Sequence, residues 1–277
     1  MARKTDICVM FYIPFFISCL WTAFSATPTH AEMPISAIFS EGSESVVLIG
    51  ADIDKKNPII GSGFIISPDG LIVTNYHVIK DSEKIVVKLK NNKYYAGARI
   101  IGSDPEKDIA LIKIKAGGLK AVTMGNSNNI KIGEKVVAIG NPLGLESTVA
   151  DGLISALRTM ENGRKLLQTS VPLSTGSSGS PLFNLNGEVI GVNVSGRTEG
   201  QNLNFAVPIN SVRSLMLSAG YKDPENNAGT IYTVKPKDTL YSIAKAFNTT
   251  PKNIMTLNNL SDSTIVAGKQ LKLPSRR

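Results

Sequence analysis

Phe64-Ile65-Ile66-Ser67-Pro68-Asp69-Gly70-Leu71-Ile72-Val73-Thr74 is the stretch that decides the fold class of this chain. Two short apolar, β-branched runs flank Ser-Pro-Asp-Gly. Pro68 presets its own φ and Gly70 takes a positive φ, so the four residues read as a turn between strands. Outward from this hairpin the pattern repeats. Lys84-Ile85-Val86-Val87-Lys88-Leu89-Lys90 alternates in part, and Asn91-Asn92-Lys93 turns it into Tyr94-Tyr95-Ala96. Val136–Ile139, Leu153–Leu157 and Glu188–Val194 continue the series. Many short strands at this spacing, from about Ser45 to Pro208, predict a mostly β domain built as a sandwich or as barrels. No βα alternation recurs, which argues against a parallel doubly wound sheet. A helix closes the region: Val212, Leu215, Met216 and Ala219 share one face, and Gly220 supplies the stop.

At 277 residues the chain accommodates one large β domain and a small appendage. An apolar content of 42% with 19% charged residues supports a buried core and argues against disorder. Arg3 and Lys4 precede an apolar run from Ile7 to Phe24 and then small residues, the pattern of a secretory leader over residues 1–31. Cleavage is expected after Ala31, with Ser25 as the second choice; an uncleaved membrane anchor is the alternative. Both cysteines, Cys8 and Cys19, lie inside this leader. The mature chain then has neither a disulfide framework nor a cysteine cluster, and with one remaining histidine no zinc site or other cofactor is expected.

The two histidines are His30, at the leader exit, and His77, in Thr74-Asn75-Tyr76-His77-Val78-Ile79. Asp108 opens the apolar run Asp108-Ile109-Ala110-Leu111-Ile112-Lys113-Ile114, and Gly176-Ser177-Ser178-Gly179-Ser180-Pro181 follows downstream. A serine hydroxyl is a poor nucleophile until a base takes its proton, and the base needs a fixed tautomer; serine, histidine and a buried aspartate meet those needs. The order His–Asp–Ser is the chymotrypsin-like one. Of the crowded serines only Ser178 satisfies Gly-x-Ser-Gly. Gly176 and Gly179 allow the tight backbone that lets the N–H groups of Gly176 and Ser178 face one developing oxyanion. Asp104 precedes Pro105 and reads as a turn residue, leaving Asp108 as the orienting carboxylate.

Gly61-Ser62-Gly63-Phe64-Ile65-Ile66 through Thr74–Ile79, Asp108–Ile112, Ala138-Ile139-Gly140-Asn141-Pro142-Leu143-Gly144, Gly176–Asn184 and Asn204–Ile209 resemble, in order, the signatures of the HtrA (Deg) family of exported trypsin-like serine proteases. The resemblance spans about residues 40 to 220. It implies two six-stranded β-barrels with the active site in the crevice between them, and it carries the triad onto His77, Asp108 and Ser178. It also implies a specificity pocket from Val171, Pro172 and Leu173 with Asn193, Val194 and Ser195. No carboxylate lies in Ser170–Thr175, so apolar side chains are expected on the acyl side of the cut. Ser180 stands where a second glycine is usual, and Ser177 where Asn or Asp is common.

Lys222–Gly229 is polar and breaker-rich and reads as a linker, placed at 221–230 between a protease domain at 36–220 and a module at 231–275. The module has β-α-α-β order: Tyr232-Thr233-Val234, a helix with Leu240, Ile243, Ala244 and Phe247 on one face capped by Asp238 or Thr239, a second helix after Thr250-Pro251, and Gln270–Leu273. Tyr232–Ala244, Asn258–Ser261 and Val266–Pro274 resemble a LysM domain. That resemblance implies binding of N-acetylglucosamine-containing glycan, chiefly peptidoglycan, between the Lys237-Asp238-Thr239-Leu240 loop and a second loop with Ser263, Thr264 and Ile265. Lys237 stands at a usual glycine position.

The chain's net charge is +8, and residues 231–277 hold eight Lys or Arg against Asp238 and Asp262, a net +6. These charges are spread without the aromatic interleaving of a nucleic-acid module, so no nucleic-acid partner is expected. The expectation is a serine endopeptidase exported to the periplasm or cell wall, acting on proteins or peptides, held at peptidoglycan, and compatible with a homo-oligomer. The alternative is a glycan-binding protein whose protease-like domain is catalytically dead.

Overall fold

The computed structural model describes residues 32–52, 58–141, 147–195, 203–222, 230–247, 249–258, 260 and 262–273. The expected leader and most of the expected linker lie outside them. Among the described residues no helix is long and apolar enough to cross a membrane.

The chain enters through helix α1 (Ile35–Gly42). The Met33 N–H, just before it, already donates to the Leu185 carbonyl (2.7 Å). Ile38 and Phe39 carry the apolar face of α1 onto a core that includes Ile139 and Phe183. Gly42 is required there, because a Cβ would lie 2.8 Å from the Phe183 ring.

Strands β1 (Val46–Ala51), β2 (Ile59–Ile65) and β3 (Leu71–Thr74) precede the short helix α2 (Tyr76–Ile79). Strands β4 (Ile85–Leu89), β5 (Tyr94–Ala96), β6 (Arg99–Asp104) and β7 (Ile109–Lys113) complete a first sheet of order β5-β4-β1-β2-β3-β7-β6. The Ser67–Gly70 turn joins β2 to β3 as expected. Gly70 has φ +92°, its N–H donates to the Ser67 carbonyl at 3.1 Å, and Lys113 Nζ lies 2.5 Å from the Asp69 carboxylate.

The second sheet contains β8 (Thr123–Met124), β9 (Lys135–Gly140), β10 (Thr148–Thr159), β11 (Lys165–Thr169), β12 (Pro181–Asn184), β13 (Glu188–Val194) and β14 (Asn204–Pro208). Its order is β12-β9-β10-β11-β14-β13-β8, and the extra β12–β13 pairing closes six of these strands into a barrel. The parallel strand β8 is appended to β13. The first sheet has seven strands, with no closing pair among the described residues.

Packing follows from strand alternation. Val47, Ile49, Ile65, Ile72 and Ile112 fill the first unit; Val136, Ile154, Leu167, Leu182 and Ala206 fill the second. A third cluster draws Phe64, Val73 and Leu111 from the first sheet together with Val137, Phe183 and Val207 from the second, and so forms the seam between them. Helix α3 (Ile209–Ser218) packs Val212 and Met216 into that seam. It ends in a Schellman motif: Gly220 has φ +80°, its N–H donates to Leu217 (3.1 Å), and the Tyr221 N–H donates to Met216 (2.9 Å).

The C-terminal module pairs β15 (Thr230–Thr233) with β16 (Gln270–Leu273), antiparallel, around α4 (Leu240–Ala246) and α5 (Pro251–Leu257). Thr239 caps α4 in a reciprocal box with Ser242. Val234, Leu240, Ile243, Ile254, Leu271 and Leu273 form its own core.

Candidate active site

His77 lies in the first turn of α2, directly after β3, and Asp108 immediately precedes β7. Because β3 and β7 pair with Thr74 opposite Ala110, the two residues meet at one end of the first sheet. The Asp108 carboxylate accepts from His77 Nδ1 at 2.8 and 3.0 Å. Its Oδ1 also accepts from the His77 backbone N–H at 2.9 Å. A carboxylate only accepts, so Nδ1 carries a proton, and in the neutral imidazole Nε2 keeps its lone pair. The aspartate side chain is 14% exposed, the imidazole 35%. This arrangement holds Asp108 at φ +56°, a left-handed conformation that Asp tolerates better than most residues. Asn75, fully buried, fastens it by donating from Nδ2 to the Asp108 carbonyl (2.8 Å).

Ser178 lies on the loop between β11 and β12, in the second barrel. Two consecutive turns build that loop. The Ser177 N–H donates to Ser174 (2.9 Å) with Gly176 at φ +94°, and the Ser180 N–H donates to Ser177 (3.1 Å) with Gly179 at φ +86°. Glycine at the third place of each turn is what a positive φ there requires. A Cβ on Gly179 would also run into the Ser62 carbonyl oxygen and Thr74 Oγ1. Among the described residues neither the Gly176 nor the Ser178 N–H donates to another protein group.

The third contact of a triad is open. Ser178 Oγ makes no hydrogen bond to His77. It lies 2.6 Å from Ser195 Oγ and accepts from the Ser195 N–H at 3.2 Å. The structure therefore brings His77 and Asp108 into direct contact and holds the Ser178 hydroxyl against the end of β13.

Ser62 is a positioning residue that sequence reasoning passed over. It is fully buried. Its N–H donates to the Ser178 carbonyl (2.8 Å), its Oγ donates to the Gly176 carbonyl (2.7 Å), and the same oxygen accepts from the Asn141 N–H (3.0 Å). Thr74 Oγ1 donates to its carbonyl (2.8 Å). The base-bearing sheet and the serine loop are thus joined through one residue. The available signal was a hydroxyl in the otherwise apolar strand Ile59–Ile65. Ser180 fits where glycine is usual because Gly140 stands opposite it, and Asn193 Nδ2 donates to its Oγ at 3.0 Å.

A cleft of about 700 Å³ opens beside the imidazole, and His77, Asp108, Lys80, Arg164, Val194, Ser195 and Phe205 contribute to its walls. Of the expected specificity residues, Val194 and Ser195 line it. Val171 and Asn193 are fully buried within the second barrel, Leu173 packs partly against that core, and Pro172 is exposed.

In the C-terminal module Lys237 is exposed at φ +72°, in keeping with its glycine-like position. The Asp238 carboxylate accepts from the Tyr232 hydroxyl (2.6 Å) and the Lys235 N–H (2.8 Å). The bond to Tyr232 holds the Asp238 carboxyl below its ordinary range and pushes the Tyr232 phenol up. Thr239, Ser263 and Thr264 are exposed, Leu240 is in the core, and Ile265 packs partly against it. Asn258 joins α5 to β16: its Nδ2 donates to the Lys272 carbonyl, and its Oδ1 accepts from the Lys272 N–H, both at 2.7 Å.

Comparison with known proteins agrees with both halves of this architecture. Residues 61–192 match the trypsin-like peptidase domain, and residues 232–274 match the LysM domain. A probable periplasmic serine endoprotease DegP-like of Pseudomonas fulva (strain 12-X) is 45% identical over 166 residues, 58% of this chain and 34% of that protein. A protein of the same description from Chlamydia trachomatis is 44% identical over 161 residues, 56% of this chain and 32% of its own length. The chain therefore spans about a third of the length of the curated relatives it matches. It carries a trypsin-like peptidase domain followed by a C-terminal LysM domain.

Proposed function

We propose that this chain is an exported serine endopeptidase of the cell envelope, working in the periplasm or at the wall and held at peptidoglycan by its LysM module. The observation that carries the reading is the His77–Asp108 pair, with Nδ1 tied to the carboxylate at 2.8 Å, in a chain whose serine loop keeps its Gly176 and Ser178 N–H groups unpaired among the described residues.

In this reading Ser178 Oγ attacks the scissile carbonyl carbon as its proton passes to His77 Nε2. Asp108 stabilises the resulting imidazolium. The carbonyl oxygen gains negative charge facing the two N–H groups; one such donor is worth about 10²–10³ in rate. Collapse expels the amine, which takes the proton from His77 and leaves an acyl-enzyme. Water then repeats the steps in reverse and regenerates Ser178.

The experiment is hydrolysis of an unfolded protein together with labelling by a fluorophosphonate. Ser178→Ala, His77→Ala and Asp108→Asn are each expected to lose about 10⁴–10⁶ in turnover, and the double variant Ser178→Ala/His77→Ala to be little worse than either single one. Ser177→Ala is expected to stay active, and equal loss there would move the nucleophile to Ser177. The bond from Ser178 to Ser195 instead of His77 favours the second reading, a peptidase-like domain without turnover that serves as a glycan-binding interaction protein. Absence of Ser178-dependent labelling would establish that reading instead.

A further inference from the structure

We infer that the cleft beside His77 carries a subsite for an acidic side chain of the substrate, formed by Arg164 and Lys80. The inference rests on the endopeptidase reading and names a feature of its substrates.

The two cations come from different halves of the peptidase domain. Lys80 follows α2, three positions after His77 and before β4; Arg164 opens the β11 side of the β10–β11 hairpin in the second barrel. Both line the same cleft as His77 and Asp108. The hairpin fixes Arg164 locally: its N–H donates to Asn162 Oδ1 (3.1 Å), its carbonyl accepts from the Met160 N–H (2.8 Å), and Gly163 takes φ +78°. Arg164 Nε is buried and has no hydrogen-bond partner among the described residues. A guanidinium N–H without an acceptor is unfavourable, so an anionic acceptor brought into the cleft that Arg164 lines would be favoured once the side chain turns its N–H groups toward it.

The chemistry of that partner follows from the donor set. A guanidinium presents a planar fork that matches a carboxylate with two parallel hydrogen bonds, and an ammonium lining the same cleft adds a second charge. Asp108 is the single carboxylate among the described lining residues, and His77 already occupies it. The remaining walls include Tyr76, Met160, Leu166 and Phe205, so an Asp or Glu side chain would bind in partly apolar surroundings where its charge is poorly screened. The apolar preference expected at the acyl residue concerns a different substrate position.

The test profiles the full-length protein on a peptide library with amidated C-termini, so that side chains supply the carboxylates; a parallel set with free C-termini reads terminal carboxylates separately. The natural chain is expected to favour Asp or Glu over Asn or Gln at one position near the cut by about tenfold in kcat/KM. Arg164→Gln should remove most of that preference, and Arg164→Glu should invert it toward Lys or Arg. The inversion is a gain that a misfolded variant cannot imitate. Indifference of the natural chain to Glu against Gln at every position would overturn the subsite. So would an Arg164→Glu variant with an unchanged acidic preference, or a preference confined to free C-termini. If the natural chain cleaves no peptide in a Ser178-dependent way, the endopeptidase reading itself fails, and the subsite falls with it.

Discussion

In the endopeptidase reading the Ser178 hydroxyl must reach His77, and the structure holds it on Ser195 instead. Held 2.6 Å from Ser195 Oγ, it does not offer its proton to His77 Nε2, so turnover in that reading requires its χ1 to change well. Part of that hold is an ordinary hydroxyl pair, worth about 0.5–1.5 kcal/mol net, and the Ser195 N–H supplies a further bond. Ser195→Ala is therefore expected to speed phosphonylation by a small organophosphorus reagent by about 2- to 10-fold, with the melting temperature lowered by no more than about 6 °C. An unaltered labelling rate would mean that the hydroxyl contact does not restrain the nucleophile. Ser62 acts in the opposite sense. Its bonds to the Gly176 and Ser178 carbonyls fix the loop backbone, so that movement within the site is left to the Ser178 side chain.

At the level of elements, the LysM module offers the sharpest test, because one short hydrogen bond ties its first strand to the loop before α4. Tyr232 donates to Asp238, which lowers the carboxyl's pKa and raises the phenol's. A lowered carboxyl contributes stability above its unfolded value, about 3.8, and loses it as pH falls through the folded value. A raised phenol contributes below its unfolded value, about 10.0, and loses it as pH rises further. Module stability should therefore be greatest between these limits and fall at both ends. Tyr232→Phe should flatten both flanks, as read by thermal melts across pH; unchanged flanks would remove the bond from the account. Legibility in the sequence followed local strength. The β2–β3 turn, β13, the Gly220 stop and the Thr239 cap carry their own signals and stand where expected. Strand β6 escaped notice because its residues are exposed or half-buried along both faces, with no alternation to read. Helix α1 escaped because its apolar face is short and abuts the leader. The contact of His77 with Asp108 was legible because few residues could replace them. The bonds of Ser62 and Ser195 were not, since they arise only when strands far apart in the chain are brought into register.

On the scale of the whole molecule, the LysM residues possess a core separate from the cores of the peptidase domain. A module with its own apolar cluster and a capped helix should fold and bind without the rest. Residues 231–277 alone are expected to bind insoluble peptidoglycan, and residues 32–222 alone to cleave soluble substrates as fast as the full chain does. Tethering should then matter only for substrates held near the wall, where it raises effective concentration without changing the chemistry. Two contributions to wall binding separate by ionic strength. The net +6 of residues 231–277 gives an attraction to anionic polymers that salt screens, whereas the sugar contacts proposed at the Lys237–Thr239 and Ser263–Thr264 loops would not depend on it. Binding measured by co-sedimentation should weaken in about 0.5 M salt yet persist, and chitin oligomers should compete for what remains. Complete loss in salt, with no competition by chitin oligomers, would reduce the module to a basic patch and leave the peptidase domain without a glycan anchor.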